Sequence, residues 1–168
     1  MSESIQIPKG GTREEVYTVM APQIEGLLAG ETDTVANMAN LSAVLHDAFG
    51  WHWVGFYFVK GDEFVLGPFQ GPVACTRIRL GKGVCGAAHA EAKTMIIPDV
   101  VKFPAHIICS PLTKSEIVIP MIGDDGNVWA VLDVDSSEID DFGENDDIRL
   151  REFIKWIKPN GFETLKLD

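Results

Sequence analysis

The spacing of apolar residues changes period along the chain, and each change marks a predicted element. Val16, Val19, Met20, Ile24, Leu27 and Leu28 recur at helical spacing behind Thr12, and Glu15 completes a capping-box signature with it. Pro22 predicts a kink or restart in this helix, and Gly30 its end. A second helix is predicted from Asp33, with Val35, Met38, Ala39, Leu41, Ser42 and Leu45 on its buried face and Gly50 as its stop. The period then drops to two. Over residues 51–59, Trp51, Trp53, Gly55, Tyr57 and Val59 alternate with His52, Val54, Phe56 and Phe58. A turn at residues 60–63 returns the chain along 64–69, which is the pattern of a β-hairpin.

Beyond the hairpin the elements shorten. Residues 77–80 read as a strand, 84–92 as a small Ala-rich helix after Gly81-Lys82-Gly83, and 94–97 as a brief strand stopped by Pro98. Residues 103–113 are irregular. Residues 115–122 and 127–134 are strongly apolar strands around Gly123-Asp124-Asp125-Gly126, and 144–157 is a closing helix with Ile148, Leu150, Phe153, Ile154 and Ile157 inward. Two hairpins imply antiparallel pairing, and amphipathic helices at both ends can cover the sheet, so the predicted class is α+β. The expected organisation is a leader over 1–11, one domain over 12–158 and a tail over 159–168.

Composition narrows the function. At 168 residues and 46% hydrophobic, the chain suffices for one core. A formal charge of −11 argues against nucleic acid and against an anionic membrane surface. Residues 124–147 hold ten acids and no Lys or Arg. They are either a solvated acidic loop or, in part, the lining of a pocket for a cationic group. No export signal or membrane-length apolar run is found, so a cytoplasmic location is expected, with thiols at rest reduced.

All three cysteines, Cys75, Cys85 and Cys109, fall within residues 69–120, each beside a glycine, a proline or a strand end. None forms a C-x-x-C pair, and no cysteine–histidine set has metal-ligand spacing, so neither a metal nor another cofactor is expected. Three inert buried thiols are one reading; single reactive thiols on turns are the other. Cys85 sits in the first turn of a helix, where the dipole lowers a thiol's pKa, whereas Cys109 has only His106 and Lys114 near it in number. Local electrostatics alone would therefore choose Cys85 as the nucleophile.

Six segments carry a resemblance. They are W-x-G-F-Y at 53–57, FQG-x-x-ACTRI at 69–78, GKGVCG at 81–86, FP-x-HI-x-C at 103–109, SEIV-x-P at 115–120 and VLD-x-DS at 131–136. In order and spacing they resemble the free methionine-(R)-sulfoxide reductases, a catalytic branch of the GAF domain superfamily. The resemblance implies a GAF-like single domain with a six-stranded antiparallel sheet flanked by helices. It also implies that Cys109 is the nucleophile and Cys75 the resolving thiol. Cys85 would support or contact the substrate, Glu116, Asp133 and Asp135 would be pocket acids, and Trp53 and Tyr57 would face the substrate. Partners on this reading are free methionine-(R)-sulfoxide and thioredoxin as reductant, with a homodimer as the assembly allowed for. Two positions depart from the family pattern: Ala105 stands where glycine is usual, and Ile108 where alanine is.

The chemistry fits these residue types. A thiolate attacks the sulfoxide sulfur, leaving a sulfenic acid, and a second thiol condenses with it before a dithiol reopens the disulfide. Cys75 and Cys109 must then lie with Cα atoms within about 7 Å. Asp133 and Asp135, two apart on an apolar strand, share a face and can pair an ammonium group or hold a proton. Trp53 and Tyr57 are either core packing or aromatic walls for an S-methyl group. The rival class is a non-catalytic GAF small-ligand sensor, which has no need of three thiols in this register.

Overall fold

A computed structural model of the protein describes residues 5–104 and 110–160. Helix α1 (Arg13–Leu28) starts where the capping box predicts: Thr12 accepts from the Glu15 N–H, and Glu15 accepts from the Thr12 N–H at 2.7 Å. Helix α2 (Thr34–Phe49) is capped by Asp33 and stopped by Gly50 in the left-handed region. The strands are β1 (Trp53–Lys60), β2 (Glu63–Gln70), β3 (Arg77–Arg79), β4 (Met95–Ile97), β5 (Ser115–Ile122) and β6 (Val128–Ser136). Helix α3 (Gly83–Glu91) lies between β3 and β4, and α4 (Glu144–Ile154) follows β6. The strands form one sheet in the order β3-β2-β1-β6-β5-β4, antiparallel at every pairing. The α+β expectation of six antiparallel strands flanked by helices is met. Among the described residues, no helix is long and apolar enough to cross a membrane.

Strand alternation divides the interior in two. Val54, Phe56, Phe58, Ile117, Ile119, Leu132 and Val134 face one way and bury against α1, α2 and α4. Trp53, Tyr57, Val118 and Val131 face the other way, toward α3. The ends of the chain are joined on the helix side. Arg13 pairs with Asp141 and Asp146, and the buried Tyr17 hydroxyl donates to Asp146 at 2.7 Å. Arg151 pairs with Asp147. Part of the acidic stretch is thus structural, and neither of its two expected roles covers those residues.

Four sequence expectations need correction. Helix α1 runs unbroken through Pro22. Pro22 and Thr18 are exposed, so water can serve the carbonyl that proline leaves without a donor. Val19, Val35 and Ile148 are exposed at 44%, 45% and 48%, while Tyr17, Thr34 and Asn37 take buried places. Helical spacing finds a face but not its edges, which neighbouring elements decide. Trp51 joins the helix-side core, stacked on Phe49, because it precedes β1 and lies outside the strand alternation. Strand β6 extends to Ser136, beyond the predicted end at 134, and so includes Asp135.

Candidate active site

The central strands set the site by register. Asp135 on β6 pairs with Trp53 on β1 and with Glu116 on β5, so the three side chains form one row across the α3 face. One step along, Asp133 lies between Gly55 and Val118, and after that Val131 lies between Tyr57 and Pro120. Directly paired residues in antiparallel strands project on the same side. Three carboxyls therefore converge beside two aromatic rings, a gathering for which β6 supplies two acids and the β5 register the third.

Gly55 makes room for the rings. A Cβ there would lie 2.5 Å from the Trp53 ring and 2.4 Å from the Phe69 Cβ, so glycine lets both side chains cross the strand. Trp53 stacks on Phe69 with centroids at 5.4 Å and on Tyr57 at 5.9 Å. Trp53, Tyr57 and the three acids line one cleft, together with Val73, Lys82, Cys85, Ser110 and Thr113, while Phe69 backs the Trp53 ring.

Helix α3 roofs the acids. Gly81 and Gly83 both have positive φ, and Gly86 packs against Gly81 so closely that a Cβ would come within 2.7 Å of its carbonyl carbon. That tight turn aims the first turn of α3 into the cleft, and Cys85 Sγ donates to Asp133 Oδ2 at 3.6 Å. From the 71–76 loop comes Cys75, which is disulfide-bonded; Cys85 is a free buried thiol. The Tyr57 hydroxyl donates to the Cys75 carbonyl at 2.9 Å, linking the aromatic wall to this cysteine. His52 and Ser110 meet at 3.0 Å. Cys109, with Ala105, His106 and Ile108, lies outside the described residues.

Burial dominates the electrostatics. Glu116 and Asp133 are only 6% and 7% exposed, and Asp135 is half-buried. Burial pushes the Glu116 carboxyl well above its ordinary range, and the Asp133 and Asp135 charges add to this. Burial likewise raises Asp133 to about 7, against the lowering effect of hydrogen bonds with Cys85 and Glu116. Asp135 is raised by burial and then by Asp133, with Thr113 opposing. Burial and mutual repulsion thus draw all three carboxyls toward their protonated forms.

The same field corrects the reading of Cys85. Its position in the first turn of α3 is as expected, but its pKa is pushed well up, first by burial and then by Asp133, Glu116 and Asp135. Desolvation and the negative charge shared among three neighbouring acids outweigh a helix dipole. Sequence reasoning also passed over Gly55 as the crossing point, Phe69 as the end of the stack, and Thr113 beside Asp135. The W-x-G-F-Y spacing held the signal for Gly55, since a glycine between aromatics in a strand often marks close approach.

Chemically, the cleft can pair a cation with its acids, deliver a proton to an oxygen, and seat an apolar group on its aromatic wall. The Cys85, Glu116 and Asp133 donor atoms also lie within 4.8 Å of one another, close enough to hold a metal ion.

Comparison with known proteins adds to this. A family model described as GAF domain matches residues 25–154. GAF domain-containing protein A of Dictyostelium discoideum is 53% identical over 158 residues, 94% of this chain and 99% of its own length. Free methionine-R-sulfoxide reductase of Saccharomyces cerevisiae is 40% identical over 153 residues, covering 86% of this chain and 85% of the relative. Among solved structures, free methionine-R-sulfoxide reductase from Neisseria meningitidis, in complex with its substrate, superposes with a TM-score of 0.89. It is 47% identical, with 94% of each chain covered.

Proposed function

The chain belongs to the GAF domain family, alongside its free methionine-R-sulfoxide reductase relatives, and on that premise we propose that its cleft reduces free methionine-(R)-sulfoxide to methionine. The observation that carries the proposal is the meeting of Glu116, Asp133 and Asp135 with Trp53 and Tyr57, while Tyr57 holds the backbone of Cys75. A free amino acid brings an ammonium group for the acids and an S-methyl group for the rings. Lys82 and the N-terminus of α3 stand at the same cleft, where a carboxylate is favoured.

Cys109 attacks the sulfoxide sulfur, and a protonated acid, Glu116 or Asp135, supplies the proton that the departing oxygen needs. The thioether leaves as methionine, and the oxygen remains on Cys109 as a sulfenic acid. The Cys75 thiol then attacks the Cys109 sulfur, water departs, and the Cys75–Cys109 disulfide forms. A dithiol protein, thioredoxin, restores both thiols by exchange and is itself oxidised. A disulfide-bonded Cys75 is the form this cycle reaches before the reductant acts. Asp133 serves the ammonium group, and Cys85, held by Asp133, lines the pocket without attacking.

The test is NADPH consumption coupled through thioredoxin, with each sulfoxide diastereomer supplied free and within a peptide. The free R epimer should be reduced, and the S epimer and the peptide barely so. In a single turnover Cys109→Ser should release no methionine, while Cys75→Ser should release about one equivalent and stall. Equal rates on free and peptide-bound substrate would sink the assignment.

A further inference from the structure

We propose that Cys85, Glu116 and Asp133 form a binding site for a thiophilic divalent cation of the Zn²⁺ class, which closes the pocket to its substrate. Binding of the ion is independent of the reaction; its effect as an inhibitor rests on the function proposed above.

Geometry supports the site first. A tetrahedral Zn²⁺ with Zn–S near 2.3 Å and Zn–O near 2.1 Å separates its sulfur and oxygen ligands by roughly 3.6 Å. Cys85 Sγ and Asp133 Oδ2 already stand 3.6 Å apart, and all three donor atoms fall within 4.8 Å. The ligands come from α3, β5 and β6, so an ion would tie the roof of the cleft to its floor.

A second, independent observation points to a ligand. Asp133 Oδ1 is buried, and among the described residues no N–H or hydroxyl donates to it; the bond that the Asp133 carboxyl shares with Glu116 lasts only while one of the two acids keeps its proton. A buried carboxylate oxygen without a donor is costly, and a cation is the strongest remedy. None of the ion pairs among the described residues involves Glu116 or Asp133.

Ligand type sets the selectivity. One thiolate with two carboxylates favours Zn²⁺, Co²⁺ or Cd²⁺ over the hard cations Mg²⁺ and Ca²⁺. Three protein ligands leave a fourth position toward the cleft, which water fills. Binding releases the Cys85 proton, and any proton shared by the carboxyls, to solvent; no electron moves. The ion would occupy the place of the substrate ammonium, so metal and amino acid should exclude each other.

Co²⁺ is the probe. The protein is titrated in its oxidised form, after thiol counting confirms one free thiol per chain, so that Cys75 cannot contribute. Saturable binding with a near-ultraviolet thiolate-to-cobalt band is expected, and excess free L-methionine should weaken it. Cys85→Ser should lose the band. Asp133→Asn and Glu116→Gln should bind Co²⁺ at least ~10-fold more weakly, no less than loss of a supporting group costs at other metal sites. Their folding is checked by circular dichroism. No saturable binding below about 1 mM, a band that survives in Cys85→Ser, or unchanged affinity in folded Asp133→Asn and Glu116→Gln would each overturn the site. A protein that binds Co²⁺ but reduces no sulfoxide defeats only the proposed function. An active protein without the band defeats only the metal site.

Discussion

The two faces of the central strands are drawn from the same residues in alternation and do opposite things with burial. On the helix side Val54, Phe56, Ile117, Ile119, Leu132 and Val134 are fully buried and apolar, and each removes hydrocarbon from water at about 25 cal/mol per Å². On the α3 side Glu116, Asp133 and Asp135 take the corresponding places, at a desolvation cost that no ion pair among the described residues offsets. Stability on one face holds the other in an arrangement that would not persist alone. Strand register is the link, because a slip of one residue would bury the wrong set on both sides.

Breaking the stabilising face gives the largest expected effect. Phe56 neighbours Gly55 in sequence, points to the opposite core and has no exposed surface. Phe56→Ala should cost about 3–5 kcal/mol through lost contacts and the cavity left behind. That corresponds to a fall in Tm of roughly 10 °C for a chain of this size. Below the new Tm, the KM for substrate should move less than about twofold. A KM that rises in step with the lost stability would mean that the faces are not separable.

On the site face the effect should fall on rate and spare the fold. Glu116→Gln and Asp135→Asn should each lower the single-turnover rate by about 10²-fold, the scale of general acid catalysis, or ~2.7 kcal/mol in the barrier. Their Tm values should match wild type or exceed it. Because burial raises both carboxyls, the wild-type chemical step should also slow as rising pH removes their protons. An unchanged step in both variants would take the proton transfer away from these acids.

This division was partly legible in the sequence, and for physical reasons. Period two placed Trp53 with Tyr57 and Asp133 with Asp135, because strand geometry requires it. The hairpin signal placed Glu116 on the strand next to them, although only the observed register sets it opposite Asp135. Caps at Thr12, Asp33 and Gly50 were read from local chemistry, which the fold leaves unchanged. What failed depends on distant neighbours. Arg13 and Tyr17 recruit Asp141 and Asp146 across more than 120 residues, which no window on an acidic stretch can show. Cys85 failed likewise, since its field comes from β5 and β6 while its helix terminus is all that sequence displays.

The smallest expected effect is also the sharpest test of the contrast, because it should stabilise the protein. Asp133 has its carboxyl raised from an ordinary 3.8 to about 7 by burial. A carboxyl raised on folding binds its proton more tightly in the native state. The stability it contributes is therefore present below about pH 4 and is lost as pH rises toward 7. At pH 8 the wild type carries a buried charge that Asp133→Asn lacks. Taken alone, the difference would be ~4 kcal/mol, but Glu116 and Asp135 share the cluster's protons, and about 1–2 kcal/mol is the expected net gain. Thermal unfolding should then show Asp133→Asn melting roughly 2–8 °C above wild type at pH 8, with the gap closing by pH 4. The same variant should bind substrate less well, since its ammonium partner is gone. A variant less stable than wild type at pH 8 would show that Asp133 has a stabilising partner in the folded chain. The two faces would then differ in their chemistry but not in their energetics.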